Sequence, residues 1–150
     1  MNQKQLSTMI ANKVPLSVAM GLKVGPSTIK NGVKFSLPLP PNRNHKNTAF
    51  GGSLVAGQAL ACWAWLTMLL DEFGVPAEVV VQRQSSEFLR PVKSHFKVET
   101  TPVSEKNVAR FLLTLSKKGK ARLRLKAQVK AEKKICTRYE GDYVAIRRKL

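Results

Sequence analysis

From Leu54 to Leu70 the chain runs almost unbroken through apolar residues, and it enters that run through Gly51-Gly52-Ser53, straight from the polar stretch Asn44-His45-Lys46-Asn47-Thr48-Ala49-Phe50. At about 1.5 Å per residue, a helix over 52–73 spans roughly 30 Å. That is also the thickness of a bilayer's hydrocarbon layer. Gln58 and Thr67 interrupt the run, however, and several amphipathic segments elsewhere need an apolar surface to cover. The pattern therefore predicts a buried central helix and no membrane span. Ala56, Gly57, Ala59, Ala61 and Ala64 are small enough to let that helix lie close to a sheet. Its first turn has a chemical property of its own. Unpaired N–H groups and the positive end of the helix dipole favour an anion or a carbonyl oxygen gaining charge, and two glycines let a ligand approach the backbone without meeting a Cβ.

The other elements follow from hydrophobic period. Residues 1–12 predict a short leading helix, ended by Pro15. Met20, Leu22 and Val24, then Val33, Phe35, Leu37 and Leu39, alternate around Lys30-Asn31-Gly32 and predict a hairpin. Beyond Gly74-Val75-Pro76 four strands are expected: 79–89, 92–98, 109–115 and 121–131, joined by short connections as a meander. Two strands, one buried helix and four strands make an α+β order, with one antiparallel sheet wrapped around one long helix.

A length of 150 residues with 43% hydrophobic content suits one domain over 1–150, and no linker, repeat or low-complexity tract divides it. The N-terminus lacks a signal-peptide pattern, and Cys62 and Cys136 have neither metal spacing nor a disulfide framework, which points to a cytoplasmic protein with reduced thiols. His45 and His95 belong to no ligand cluster, so no metal site is expected. The net charge of +17 invites a polyanionic partner. From Arg122 onward, though, basic residues alternate with Leu123, Leu125, Ala127 and Val129, the pattern of a strand with one wet face. No helix-turn-helix, zinc-finger or RNA-stacking motif accompanies the charge, so nucleic acid is the remotest of the partners considered.

The polar loop 44–52 resembles the Asn-x-x-Gly-x-x-His-Gly-Gly signature of hot-dog-fold thioesterases, and Glu87-Phe88-Leu89-Arg90-Pro91-Val92 resembles their strand-ending Leu-Arg-Pro-Val. Phe50 in the histidine position, with Ser53-Leu54 behind it and Ala61-Cys62-Trp63 beyond, looks most like the thioesterase domain at the C-terminus of YiiD-type acetyltransferases. The resemblance spans roughly 15–132. It implies a hot-dog fold and hydrolysis of an acyl-CoA or acyl-carrier-protein thioester, with no cofactor beyond the carrier. It also implies a homodimer or dimer of dimers whose sites lie between subunits.

The resemblance further implies roles for particular residues. Asn44 matches the family asparagine, and Gly51 and Gly52 match the Gly-Gly whose neighbouring N–H groups, from Gly52 or Ser53, hold the thioester carbonyl. Asn47 stands where many members have glycine; with Phe50 and Ser53 it completes the expected substrate-contacting set. The helix carboxylate of the family falls on Ala59. Gln58 beside it can hold a water but cannot take its proton, and Glu87, from the same subunit or delivered by a neighbouring one, is the best remaining carboxylate. Asn44, Gln58 and Glu87 are accordingly the expected catalytic residues. A non-catalytic acyl-thioester-binding module is the alternative, consistent with the missing helix carboxylate.

Overall fold

In the computed structural model, residues 1–149 are described. Helix α1 (Gln3–Lys13) starts at a capping box in which Asn2 and Gln5 satisfy each other's backbone N–H. A helical turn, α2 (Leu16–Ala19), leads to strands β1 (Lys23–Val24) and β2 (Lys34–Leu37), which pair antiparallel as the predicted hairpin. A 3₁₀ turn (Pro40–Asn42) and the polar loop then deliver the chain to α3 (Gly51–Glu72). Strands β3 (Ala77–Phe88), β4 (Phe96–Thr100), β5 (Lys120–Ala131) and β6 (Lys134–Arg147) complete one antiparallel sheet of order β1-β2-β4-β5-β6-β3.

Helix α3 is the core. Leu54, Ala61, Cys62, Ala64, Trp65, Leu66 and Leu69 are all buried against the inner face of the sheet. Gly57 earns its place by contact: a Cβ there would stand 3.3 Å from Val98 Cγ2. By length and composition α3 could cross a membrane, yet 67% of its most apolar window is buried inside the fold, as expected of a core helix. Along β5 burial alternates strictly, Ala121, Leu123, Leu125, Ala127 and Val129 facing in and the basic residues facing out. On that outer face Arg124 Nε bonds Asp142 Oδ1 at 2.9 Å, while Lys126 pairs with Glu140 and Lys130 with Glu99.

Three expectations fail. Residues 109–115 form no strand; they lie in helix α4 (Glu105–Lys118). Ala109, Phe111, Leu113 and Leu115 do alternate, but Val108, Phe111, Leu112 and Leu115 also fit the helical spacing i, i+3, i+4, i+7. The helix wins because Ser104 caps its start and Gly119, at φ 72°, closes its end, while Leu113 is left 56% exposed. The sheet is also no meander. β3 pairs with β6, a strand absent from the sequence-based expectation, and the connection after β3 crosses the end of the β5–β6 hairpin to reach β4 beside β2. Leu89 and Arg90 N–H groups donate to the Cys136 carbonyl on the way. Val92, expected in a strand, is buried in that crossing instead.

Candidate functional site

The polar loop is built by Asn44. Its Oδ1 accepts from the Lys46 and Thr48 N–H groups at 2.9 and 3.1 Å, its Nδ2 donates to Thr48 Oγ1 at 2.9 Å, and its own N–H donates to the Thr48 carbonyl at 2.7 Å. Asn47 sits at φ 61°, a left-handed conformation that asparagine tolerates better than most side chains. That explains how it replaces a glycine. Downstream, the Ala49 N–H donates to the Val92 carbonyl and the Phe50 N–H to the Asn42 carbonyl at 2.7 Å. Asn42 is itself buried, its Nδ2 donating to the Met20 and Pro38 carbonyls, so three chain segments are tied directly behind the start of α3.

Phe50 occupies the N-cap with extended backbone and no side-chain cap. Its carbonyl accepts from the Ser53 and Leu54 N–H groups at 2.9 and 3.1 Å. Ser53 is thus a first-turn residue, and its N–H is already engaged. The N–H groups of Gly51 and Gly52 meet no acceptor among the described residues. They are flanked by two aromatic rings: a Cβ on Gly51 would lie 3.5 Å from Phe88, and one on Gly52 would run into the ring of Phe50. Both phenylalanines are 57% exposed. Two free amides on a helix dipole, between solvent-facing apolar rings, suit an acyl carbonyl.

The remaining expected residues lie elsewhere. Gln58 is fully buried, donating through Nε2 to the Leu54 carbonyl at 2.9 Å and accepting through Oε1 from Thr137 Oγ1 at 3.0 Å. It ties α3 to β6. Glu87 lies opposite Arg138, one residue out of phase with the Phe88–Thr137 pair. Since side chains alternate along a strand and Thr137 points at Gln58, Glu87 is on the outer face, away from the Gly51 and Gly52 amides.

Sequence reasoning missed a buried hydroxyl chain. Tyr143 Oη donates to the Ala59 carbonyl at 2.8 Å, which leaves Tyr139 Oη as the donor across the 2.7 Å contact between the two phenols. Gly141 makes room for it, because a Cβ there would stand 2.9 Å from both tyrosine side chains. Burial pushes Tyr139 up to about 12 and Tyr143 further, and pushes the Cys62 thiol up to about 12, so these groups are neutral hydrogen-bonding links and Cys62 is no nucleophile. Both tyrosines lie on β6, and the missed strand hid them. Cys62 and Cys136 are free and buried, and no three potential metal ligands converge among the described residues.

The fold is shared by solved structures of similar size. A protein of unknown function from Chlorobaculum tepidum superposes with a TM-score of 0.90 at 27% identity, covering 97% of this chain and 94% of that one. A putative thioesterase from Shewanella oneidensis gives 0.84 at 25% identity, covering 96% of each chain. A probable thioesterase from Pseudomonas aeruginosa gives 0.83 at 19% identity, covering 99% and 97%, and supports the fold alone. Among curated proteins none matches the chain. The hot-dog architecture inferred from the polar loop and central helix is therefore the fold of this protein. The YiiD C-terminal putative thioesterase model matches residues 3–147, and the chain belongs to that family.

Proposed function

We propose that the protein is an acyl thioesterase acting on an acyl-CoA or acyl-carrier-protein thioester, with the substrate carbonyl held by the Gly51 and Gly52 N–H groups. The observation that carries this reading is the pair of unbonded amides at the start of a 22-residue helix, between exposed Phe50 and Phe88. As water attacks, the carbonyl oxygen gains negative charge, and two fixed N–H dipoles stabilise it more than they stabilise the neutral ester. Asn44 and Asn47 hold the loop that sets the direction of those amides.

A second copy completes the site in this reading. β3 is an edge strand with Val80, Val81 and Phe88 exposed and the exposed Leu89 just beyond its end, and the inner face beneath its Val81 and Phe88 is open. Pairing of two such edges about a twofold axis removes both the free edge and the apolar surface. Buried free thiols and the absence of any engaged disulfide suit the reducing cytoplasm.

One observation favours the alternative of a non-catalytic binding module: the bonding of Gln58 and the outer-face position of Glu87 leave the amides without a nearby proton acceptor among these candidates. Thiol release from short, medium and long acyl thioesters separates the two. The enzyme reading expects turnover that Gly52→Val abolishes while the fold is kept. Tight binding with no thiol released above background for any chain length would leave only the binding module.

A further inference from the structure

The five long-sheet strand ends nearest the start of α3 lie side by side: the end of β2, the start of β4, the β5–β6 turn and the end of β3. At about 4.8 Å per strand spacing this margin is roughly 19 Å wide from β2 to β3. The loops along it and the first residue of β6 carry Arg43, Lys46, Arg90, Lys93, Lys133 and Lys134, all exposed, and within the loops the only carboxylate is Glu132. None of the six cations has a carboxylate within ion-pair distance among the described residues. On the outer sheet face Arg124, Lys126 and Lys130 are paired, while Arg122, Arg138 and Lys97 are not, so the margin differs in having no paired cation among its six. Arg90 reaches back to the Ile135 carbonyl, tying the crossing loop to the β5–β6 turn and holding the row together.

Unpaired like charges crowded on one margin repel one another and weaken the folded state. The margin borders the free Gly51 and Gly52 amides through the Ala49 N–H bond to the Val92 carbonyl and the Phe88 ring, which lies 3.5 Å from where a Cβ on Gly51 would stand. We propose that this cationic margin is the docking surface for an acidic acyl-carrier protein, which presents its thioester to the amides. The proposal rests on the acyl-thioester reading of the site and selects the carrier within it. The phosphates of one nucleotide engage a few convergent donors, whereas this row extends over all five strand ends on exposed side chains. A width of that order is the scale of a protein face, about 800 Å² per partner in a standard interface. Complementary charge across such a face sets encounter rate and orientation.

The test compares the triple variant Lys46→Gln, Lys93→Gln, Lys134→Gln with a control of equal charge change on other surfaces, Lys4→Gln, Lys23→Gln, Lys106→Gln. Binding of a non-hydrolysable acyl-carrier protein is measured by titration calorimetry at low and physiological salt, and hydrolysis is followed on acyl-carrier protein, acyl-CoA and acyl-pantetheine. The margin variant should weaken carrier binding by about tenfold at low salt, raise KM for the carrier substrate and leave kcat and acyl-pantetheine hydrolysis unchanged. The control should bind like the wild type. Equal loss in both triple variants, or a KM effect confined to acyl-CoA, overturns the proposal, the latter in favour of a nucleotide. Carrier binding is read without turnover, so it stands apart from the thioesterase reading. A wild-type protein that binds no carrier refutes the docking surface even if it hydrolyses acyl-CoA, and a protein that binds the carrier at this margin but hydrolyses nothing refutes only the enzyme.

Discussion

Replacing Gln58 with leucine separates a structural glutamine from a catalytic one. Gln58 and Thr137 are each fully buried and share a 3.0 Å hydrogen bond, the polar link between the central helix and β6. Gln58→Leu roughly keeps the volume but removes the acceptor, leaving the Thr137 hydroxyl unpaired in the core. An unsatisfied buried group costs about 1–3 kcal/mol. For a domain of this size that lowers Tm by roughly 2–12 °C, at about 2–4 °C per kcal/mol. Thr137→Val alone strands the Gln58 Oε1 and should destabilise by a similar amount. In the double variant both polar groups are gone, and apolar side chains of matching size meet across the helix–sheet contact. Its loss should fall short of the sum of the single losses by about 1 kcal/mol or more. Thermal and urea unfolding of the four proteins closes the cycle, and thiol release at 25 °C, normalised to folded protein, follows function. Additivity within about 0.3 kcal/mol would refute the pairing argument. A large fall in turnover at unchanged Tm would refute the structural assignment and return Gln58 to the reaction.

Glu87→Gln should leave turnover and acyl-thioester binding at wild-type levels, since the outer-face carboxylate does not meet the amides; a large fall in turnover with binding retained would make it the base. Val81→Lys places a charge on the open inner face of the β3 edge, and sedimentation at micromolar concentration should show monomer where the wild type sediments as a dimer or larger, with activity lost in parallel. Asn47→Gly should be neutral, whereas Asn47→Val at φ 61° should destabilise by about 1–2 kcal/mol, read by urea unfolding. Burial raises Tyr139 to about 12 and Cys62 to about 12 in the folded state, so the native protein holds protons that the unfolded chain gives up at lower pH. That contribution is fully present below the ordinary thiol and phenol range, about 8.5 and 10, and is lost as pH rises toward 12. Melting temperature should therefore fall steadily over that window, and Tyr139→Phe should flatten the decline.

The central helix was legible in the chain because its apolar run is too long and too uniform for any element that is half in water. The hairpin before it and the strict alternation of β5 were legible for the same kind of reason: one face of each must be covered, and the period shows which. The free N–H groups at the Gly-Gly entry to the helix were legible because unpaired donors at a helix start follow from backbone geometry alone. Residues 109–115 could not be assigned by period, since their apolar positions satisfy both repeats and only the caps at Ser104 and Gly119, together with packing on β5, decide between them. β6 stayed hidden because its inward positions, Thr137, Tyr139, Gly141, Tyr143 and Ala145, mix polar, small and aromatic residues that become one face only when α3 lies over them. With that strand went the tyrosine chain, the Thr137 partner that occupies Gln58, and the pairing that turns Glu87 outward. Which polar group is free to meet a ligand and which is consumed inside the fold depends on contacts across long separations in sequence. A local pattern carries no record of those contacts, and tertiary packing alone settles them.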